Sequence, residues 1–252
     1  EDRCVVLKPP EWQVDTEGDE FEFIEKDHAP REMLSNFLQT SFPGSKHPIF
    51  SDVRCKRGFL HRLDVPSSGL ILSAKTYEAY FHLLGQLSRG TLARDYVVLL
   101  HGFLDADRSL MQAAIDKEVD ATWSAKSEVS ASGGKASSTR LRLSGHLLAA
   151  AAQPLSLVTM RIDSGRRHQI RVQSAHVGHP TVTDGRYTAE PVFALDRLWC
   201  KRNFLHRYSL TFLDAAAAEC FARAALPEDL REALWLLIPK NMISAVALDD
   251  WG

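Results

Sequence analysis

The sequence predicts an α+β fold with a large mixed or antiparallel sheet and flanking helices. Three observations point there. Short apolar runs and period-two segments recur along the whole chain, as in Gly69-Leu70-Ile71-Leu72 and Thr139-Arg140-Leu141-Arg142-Leu143. Helical spacings fall between them without the regular βα alternation of a doubly wound sheet. No internal repeat is visible.

Cys4-Val5-Val6-Leu7 reads as a strand that Pro9-Pro10 ends, because proline cannot continue a hydrogen-bond ladder. From Pro30 to Thr40, Met33, Leu34, Phe37 and Leu38 have helical spacing, and Pro43-Gly44 closes the segment. Gly69 to Leu72 feeds a strand covered on both faces. Tyr77, Phe81, Leu84 and Leu87 form the apolar stripe of a helix stopped by Arg89-Gly90. Asp95 to Gly102 is a strand with Tyr96 at its leading edge.

Residues 124–138 are rich in Ser, Ala, Gly and Lys and read as a flexible loop or hairpin tip. Thr139–Leu143 and Leu155–Ile162 are strands, separated by a surface excursion at Ala149–Ala152. Asp163-Ser164-Gly165 turns into a helix over Arg167–Val177, which Gly178-His179-Pro180 ends. A polar loop to Phe193, a strand over Phe204–Phe212 and a helix after Pro227 with Leu230, Leu234 and Leu237 on one face complete the chain.

A chain of 252 residues can bury a full core, either as one large domain or as two closely packed halves. The reading adopted is a single domain over 1–252 with an insertion at about 124–138. No apolar run spans a bilayer and Glu1-Asp2-Arg3 is not a signal-peptide start, so a soluble intracellular monomer without membrane contact is expected. Cys4, Cys55, Cys200 and Cys220 show no CxxC spacing, which argues for reduced, structural thiols.

The formal net charge of −2 argues against gripping nucleic acid by bulk charge, yet the charge is segregated. Six acids and one base lie between Glu17 and Asp27. Basic residues gather at Arg54, Lys56, Arg57 and Arg62, at Arg161, Arg166, Arg167 and Arg171, and at Lys201, Arg202 and Arg207. These clusters either converge on a phosphate-binding cleft or form three separate solvated faces.

In His61-Arg62-Leu63-Asp64, Arg62 and Asp64 project from one face of an extended segment, which sets a carboxylate beside a guanidinium. Alone this is an ordinary ion pair on a loop. It acquires meaning from its order among other blocks: Lys8-Pro9-Pro10 before it, Ser67-Ser68-Gly69 after it, and Arg94 and Tyr96 opening a strand that ends at Gly102. The last block is Gly165-Arg166-Arg167-His168-Gln169-Ile170-Arg171-Val172 with Ala175 to Pro180.

This ordered set resembles the RNA pseudouridine synthases of the RluA type, from Val5 to about Leu237. The resemblance implies the pseudouridine-synthase fold with a cleft across its sheet, and no S4-type domain before Val5. It implies Asp64 as the catalytic carboxylate, Arg171 as its ionic partner, Arg62 as the residue that displaces the target uridine, and Tyr96 against the extruded base. Leu205 and Ile170 would wall the pocket. His61, Arg167 and His168 would lie near the RNA, and Lys8 is either a surface lysine or a phosphate contact. The implied partner is RNA, whether ribosomal, transfer or messenger.

The chain departs from the family pattern at Ser67, Gln173, Thr183 and Thr188, where Thr, His, Gly and Gly are usual. A non-catalytic RNA-binding or chaperone protein on the same fold is therefore the rival reading. A glycosidase ranks last, since that chemistry needs two carboxylates. Isomerisation needs no cofactor. His61, His168, His176 and His179 lack a pattern such as HExxH, so no metal site is expected.

Overall fold

The computed structural model describes residues 2–15, 32–119 and 125–252. The acidic stretch at Glu17–Asp27 and the first two residues of the proposed Pro30–Thr40 helix lie outside the described residues, as does Ser124. The chain divides into two compact units. The first comprises 1–94, 119–125 and 209–224, and the second 95–118, 126–208 and 225–252.

The first unit opens with β1 (Arg3–Lys8). It continues through α1 (Leu34–Ser41), β2 (Ser68–Ala74) and α2 (Tyr77–Arg89). β1 pairs antiparallel with β2, Val5 opposite Leu72. Every residue of β2 is buried, as its unbroken apolar run predicts. Thr76 caps α2 by accepting the Ala79 N–H, and Gly90 closes it in the left-handed conformation.

The predicted apolar stripe of α2 is displaced. Tyr77, Phe81 and Leu84 are exposed, and the buried face is Ala79, Tyr80, Leu83 and Gln86. Gln86 is buried because its amide imitates a strand. Nε2 donates to the Leu213 carbonyl and Oε1 accepts the Leu213 N–H, both at 2.8 Å. Those paired bonds remove the cost of burying an amide, which hydrophobic spacing cannot foresee.

The second unit takes in β3 (Ala93–His101) from Asp95 onward, β4 (Leu110–Val119) up to Glu118 and β5 (Ala125–Val129) from Lys126 onward. Then come β6 (Lys135–Leu148) and β7 (Pro154–Ile162). Their spatial order is β3-β7-β6-β4-β5. The segment read as a flexible loop or hairpin tip at 124–138 contains β5 and the start of β6, joined across 130–134. α3 (Gln169–His176) and α4 (Glu190–Asp196) come next, the latter within the stretch read as a polar loop.

β8 (Leu205–Leu213) has its first four residues in the second unit and the rest in the first, where Ser209–Leu213 pairs with β9 (Glu219–Arg223). The second unit ends with α5 (Glu228–Trp235), β10 (Ile238–Pro239) and α6 (Met242–Trp251). Among these, the sequence reading had foreseen only α5.

The pleat of this sheet separates two tasks. Leu99, Leu157 and Gly145 lie in one cross-strand row on the face that packs Leu230, Leu234 and Leu237 into the core. Gly145 is required there, since a Cβ would sit 2.8 Å from the Ser244 Cα of α6. Tyr96, Met160 and Leu141 form a row on the opposite face. Thr139 is on that second face and its hydroxyl reaches Gln173, so α3 lies on the same side of the sheet as Tyr96.

All four cysteines are free thiols. Burial pushes Cys4 and Cys200 up to about 11. They are inert packing groups at neutral pH. No helix among the described residues is long and apolar enough to cross a membrane.

Candidate active site

In the first unit, residues 61–67 form a loop ahead of β2 that turns at Val65-Pro66. Leu63, Val65 and Ser67 are buried while Arg62, Asp64 and Pro66 are partly exposed. This is the period-two alternation that places Arg62 and Asp64 on one side. The Val65 carbonyl accepts two hydrogen bonds, from the Glu11 N–H at 2.8 Å and from Lys8 Nζ at 3.2 Å. The Asp64 carbonyl accepts the Ser67 N–H at 3.1 Å.

One expectation is corrected here. Lys8 is wholly buried, with Nζ donating to the Pro9 and Val65 carbonyls, so it is neither a surface lysine nor placed to reach a phosphate. It ties the end of β1 to the loop that carries Asp64. His61 is partly exposed, and its Nε2 accepts the Leu72 N–H at 3.4 Å.

In the second unit Arg171 is buried in α3 and held bidentately by Asp184, with Nε–Oδ2 and Nη2–Oδ1 both 2.8 Å. Asp184 is completely buried and also accepts the Thr181 hydroxyl and the Arg186 N–H. Burial alone would push Asp184 up, but the Arg171 guanidinium and these donors hold its carboxyl below the usual range. The Arg171 guanidinium also lies 5.4 Å from the Tyr187 ring centre. The Tyr187 hydroxyl accepts the Ser127 N–H, donates to the Ser127 carbonyl, and lies 2.9 Å from His168 Nδ1.

The turn before α3 is pinned by Gln169. Its Oε1 accepts from Ser164 Oγ and the Arg166 N–H, and its Nε2 donates to the Ser138 carbonyl and Thr139 Oγ1. His168 enters the helix with φ of 51° and is buried. Arg167 is partly exposed beside it, and Ile170 is buried. Gln173, one of the departures, is structural: it bonds the Thr139 and Ser137 hydroxyls. His179 serves the loop backbone, its Nδ1 lying 2.8 Å from the His101 carbonyl.

Tyr96 is 3% exposed, and its hydroxyl accepts from Arg207 Nε at 3.0 Å and from Nη2. Arg207 is itself buried, and Leu205 on the same strand is buried too. The two arginines of the third basic cluster are therefore not a surface for phosphate, while Lys201 is exposed. Arg207 holds Tyr96, and Arg202 is buried and bidentate to Asp229.

Sequence reasoning missed Asp184, Tyr187 and Arg207 as parts of this arrangement. The available signal was a lone acid 13 positions after Arg171 with a tyrosine three further on, which says nothing without the fold. Among the described residues, no group of His, Cys, Asp and Glu could hold a metal ion.

Comparison with known proteins places these features in a family. Residues 5–176 match the family model described as RNA pseudouridylate synthase. Ribosomal large subunit pseudouridine synthase D of Nitrosomonas europaea is 30% identical over 196 residues, which cover 75% of this chain and 54% of that protein. Ribosomal large subunit pseudouridine synthase C of Yersinia pestis is 34% identical over 184 residues, 72% of this chain and 55% of that one. The chain thus spans about half the length of the curated relatives it matches. Among solved structures, Human RNA Pseudouridylate Synthase Domain Containing 1 aligns with a TM-score of 0.68 at 24% identity over 98% of this chain and 91% of that one. Human RNA Pseudouridylate Synthase Domain Containing 4 aligns at 0.64 and 14%, over 95% and 92%. Both likenesses show the fold.

Proposed function

The chain belongs to the RNA pseudouridylate synthase family, and on that premise we propose that it isomerises specific uridines in RNA to pseudouridine. The observation that carries the reading is Asp64, partly exposed on a loop held from behind by Lys8 and Glu11, within the His-Arg-Leu-Asp block. A substrate-facing carboxylate must be both reachable and fixed, and that loop meets both needs.

Isomerisation breaks the N1–C1′ bond, turns the base and joins C5 to C1′, after which the C5 hydrogen leaves as a proton. Uracil departs as a resonance-stabilised anion and stays in the site, so one carboxylate suffices. Asp64 either attacks C1′ or removes a proton at C2′, and the resemblance carries a catalytic role to Arg171 as well. A base within an RNA stem must first be flipped out, at a cost of a few kcal/mol. Arg62 fills the vacated stack, and the Tyr96 ring, held at its hydroxyl by Arg207, stacks on the base for about 1 to 3 kcal/mol. Ile170 and Leu205 wall the pocket against water, which would otherwise hydrolyse the intermediate.

The test is RNA carrying tritium at uridine C5. Wild-type protein should release tritium and Asp64→Ala should release none while remaining folded. Free uracil would instead indicate hydrolysis, and RNA binding without release from any cellular RNA fraction would favour the non-catalytic reading.

A further inference from the structure

Thr183 stands where the family pattern has glycine, and its φ is 56°. A β-branched residue in the left-handed region is a genuine outlier, held only when its surroundings dictate it. Two buried hydrogen bonds do so. The Thr183 N–H donates to Asp196 Oδ2 at 2.9 Å, and its hydroxyl donates to the Cys200 carbonyl at 2.9 Å. Asp196 is wholly buried, and the same Oδ2 lies 2.9 Å from His101 Nε2. The Gln153 amide lies 3.1 Å from His101 Nδ1, so both ring nitrogens are engaged.

The position of Thr183 gives this device its purpose. Val182 is fixed on β3, its N–H donating to the Leu99 carbonyl at 2.9 Å. The residue after Thr183 is Asp184, which grips Arg171. The backbone angle at 183 therefore decides where the Asp184 carboxylate is delivered. We infer that Asp196, through Thr183, is a positioning residue for the Asp184–Arg171 pair, a clamp that lets this chain keep threonine where a left-handed turn calls for glycine. The inference rests on the proposed catalytic role of Arg171.

Four variants test it: Asp196→Ala, Asp196→Asn, Thr183→Gly, and the double Thr183→Gly/Asp196→Ala. Asp196→Ala should lower kcat for tritium release about tenfold or more with KM within about twofold, because misaimed groups cost turnover rather than binding. Asp196→Asn should stay within about threefold of wild type, since an amide oxygen can take the place of Oδ2 and accept the same two bonds. The double variant should recover to within about threefold of Thr183→Gly alone, because glycine adopts the turn without the clamp.

Wild-type kcat in Asp196→Ala, a strongly impaired Asp196→Asn, or a folded double variant no better than Asp196→Ala would overturn the inference. Should Asp196→Ala fail to fold, the other two Asp196 variants still decide. An inactive wild type would overturn the proposed function alone. The clamp is then judged from the Arg171 Nε–H resonance, which should shift and exchange faster in Asp196→Ala and return in the double variant; no change in Asp196→Ala would overturn it.

Discussion

The two units hold their key residues by different means. In the first, the Asp64 loop hangs on main-chain oxygens: Lys8 Nζ and the Glu11 N–H both close on the Val65 carbonyl. In the second, Arg171 is held by a carboxylate that is itself wholly buried. A carbonyl left behind when its donor is removed is a neutral polar group. A carboxylate left behind in the same way is a buried charge, which is far more costly. The first arrangement therefore tolerates substitution better than the second.

The sharpest test is Arg171→Met. It strands Asp184 without its guanidinium and should lower unfolding free energy by about 3 to 5 kcal/mol. Urea denaturation at neutral pH measures this, and a loss under about 1 kcal/mol would erase the contrast between the units.

A second test uses pH. Burial pushes His206, the second residue of β8, down to about 4. Between about 4 and 6.5 the unfolded chain therefore binds a proton that the folded chain refuses. Stability contributed by the neutral imidazole is complete above about 6.5 and falls as pH drops toward about 4, by on the order of 3 kcal/mol. Denaturation midpoints at pH 7 and pH 4.5 should show that decline, and His206→Gln should flatten it.

The smallest effect is expected in the first unit. Lys8→Met removes the Nζ donors while the Glu11 N–H still satisfies Val65, so the loss should be about 2 kcal/mol. Activity should fall further than stability, because the loop that carries Asp64 loosens. Equal destabilisation by Lys8→Met and Arg171→Met would show that the nature of the acceptor does not matter.

Much of this was legible in the residues. The unbroken apolar run of β2 identified a buried strand, and period-two spacing put Arg62 and Asp64 on one side of their loop. Gly90 marked the end of α2 correctly. The buried face of the same helix was misread, because Gln86 earns its place through two bonds to Leu213, 127 positions away. Lys8 and Arg207 were misjudged for the same reason, being long cations whose partners are distant in the chain.

By itself the sequence determined the type of each element it named, the α+β class and the order of the blocks that lead to the family, since propensity, turn chemistry and hydrophobic period act between near neighbours. Only the tertiary structure decided which charges are buried and what they hold. Asp184 on Arg171, Arg207 on Tyr96 and Asp196 on Thr183 are each set by side chains brought together by folding. The free energy of a buried charge or a strained turn depends on the partner it meets, and that partner is fixed by folding in space, not by spacing along the chain.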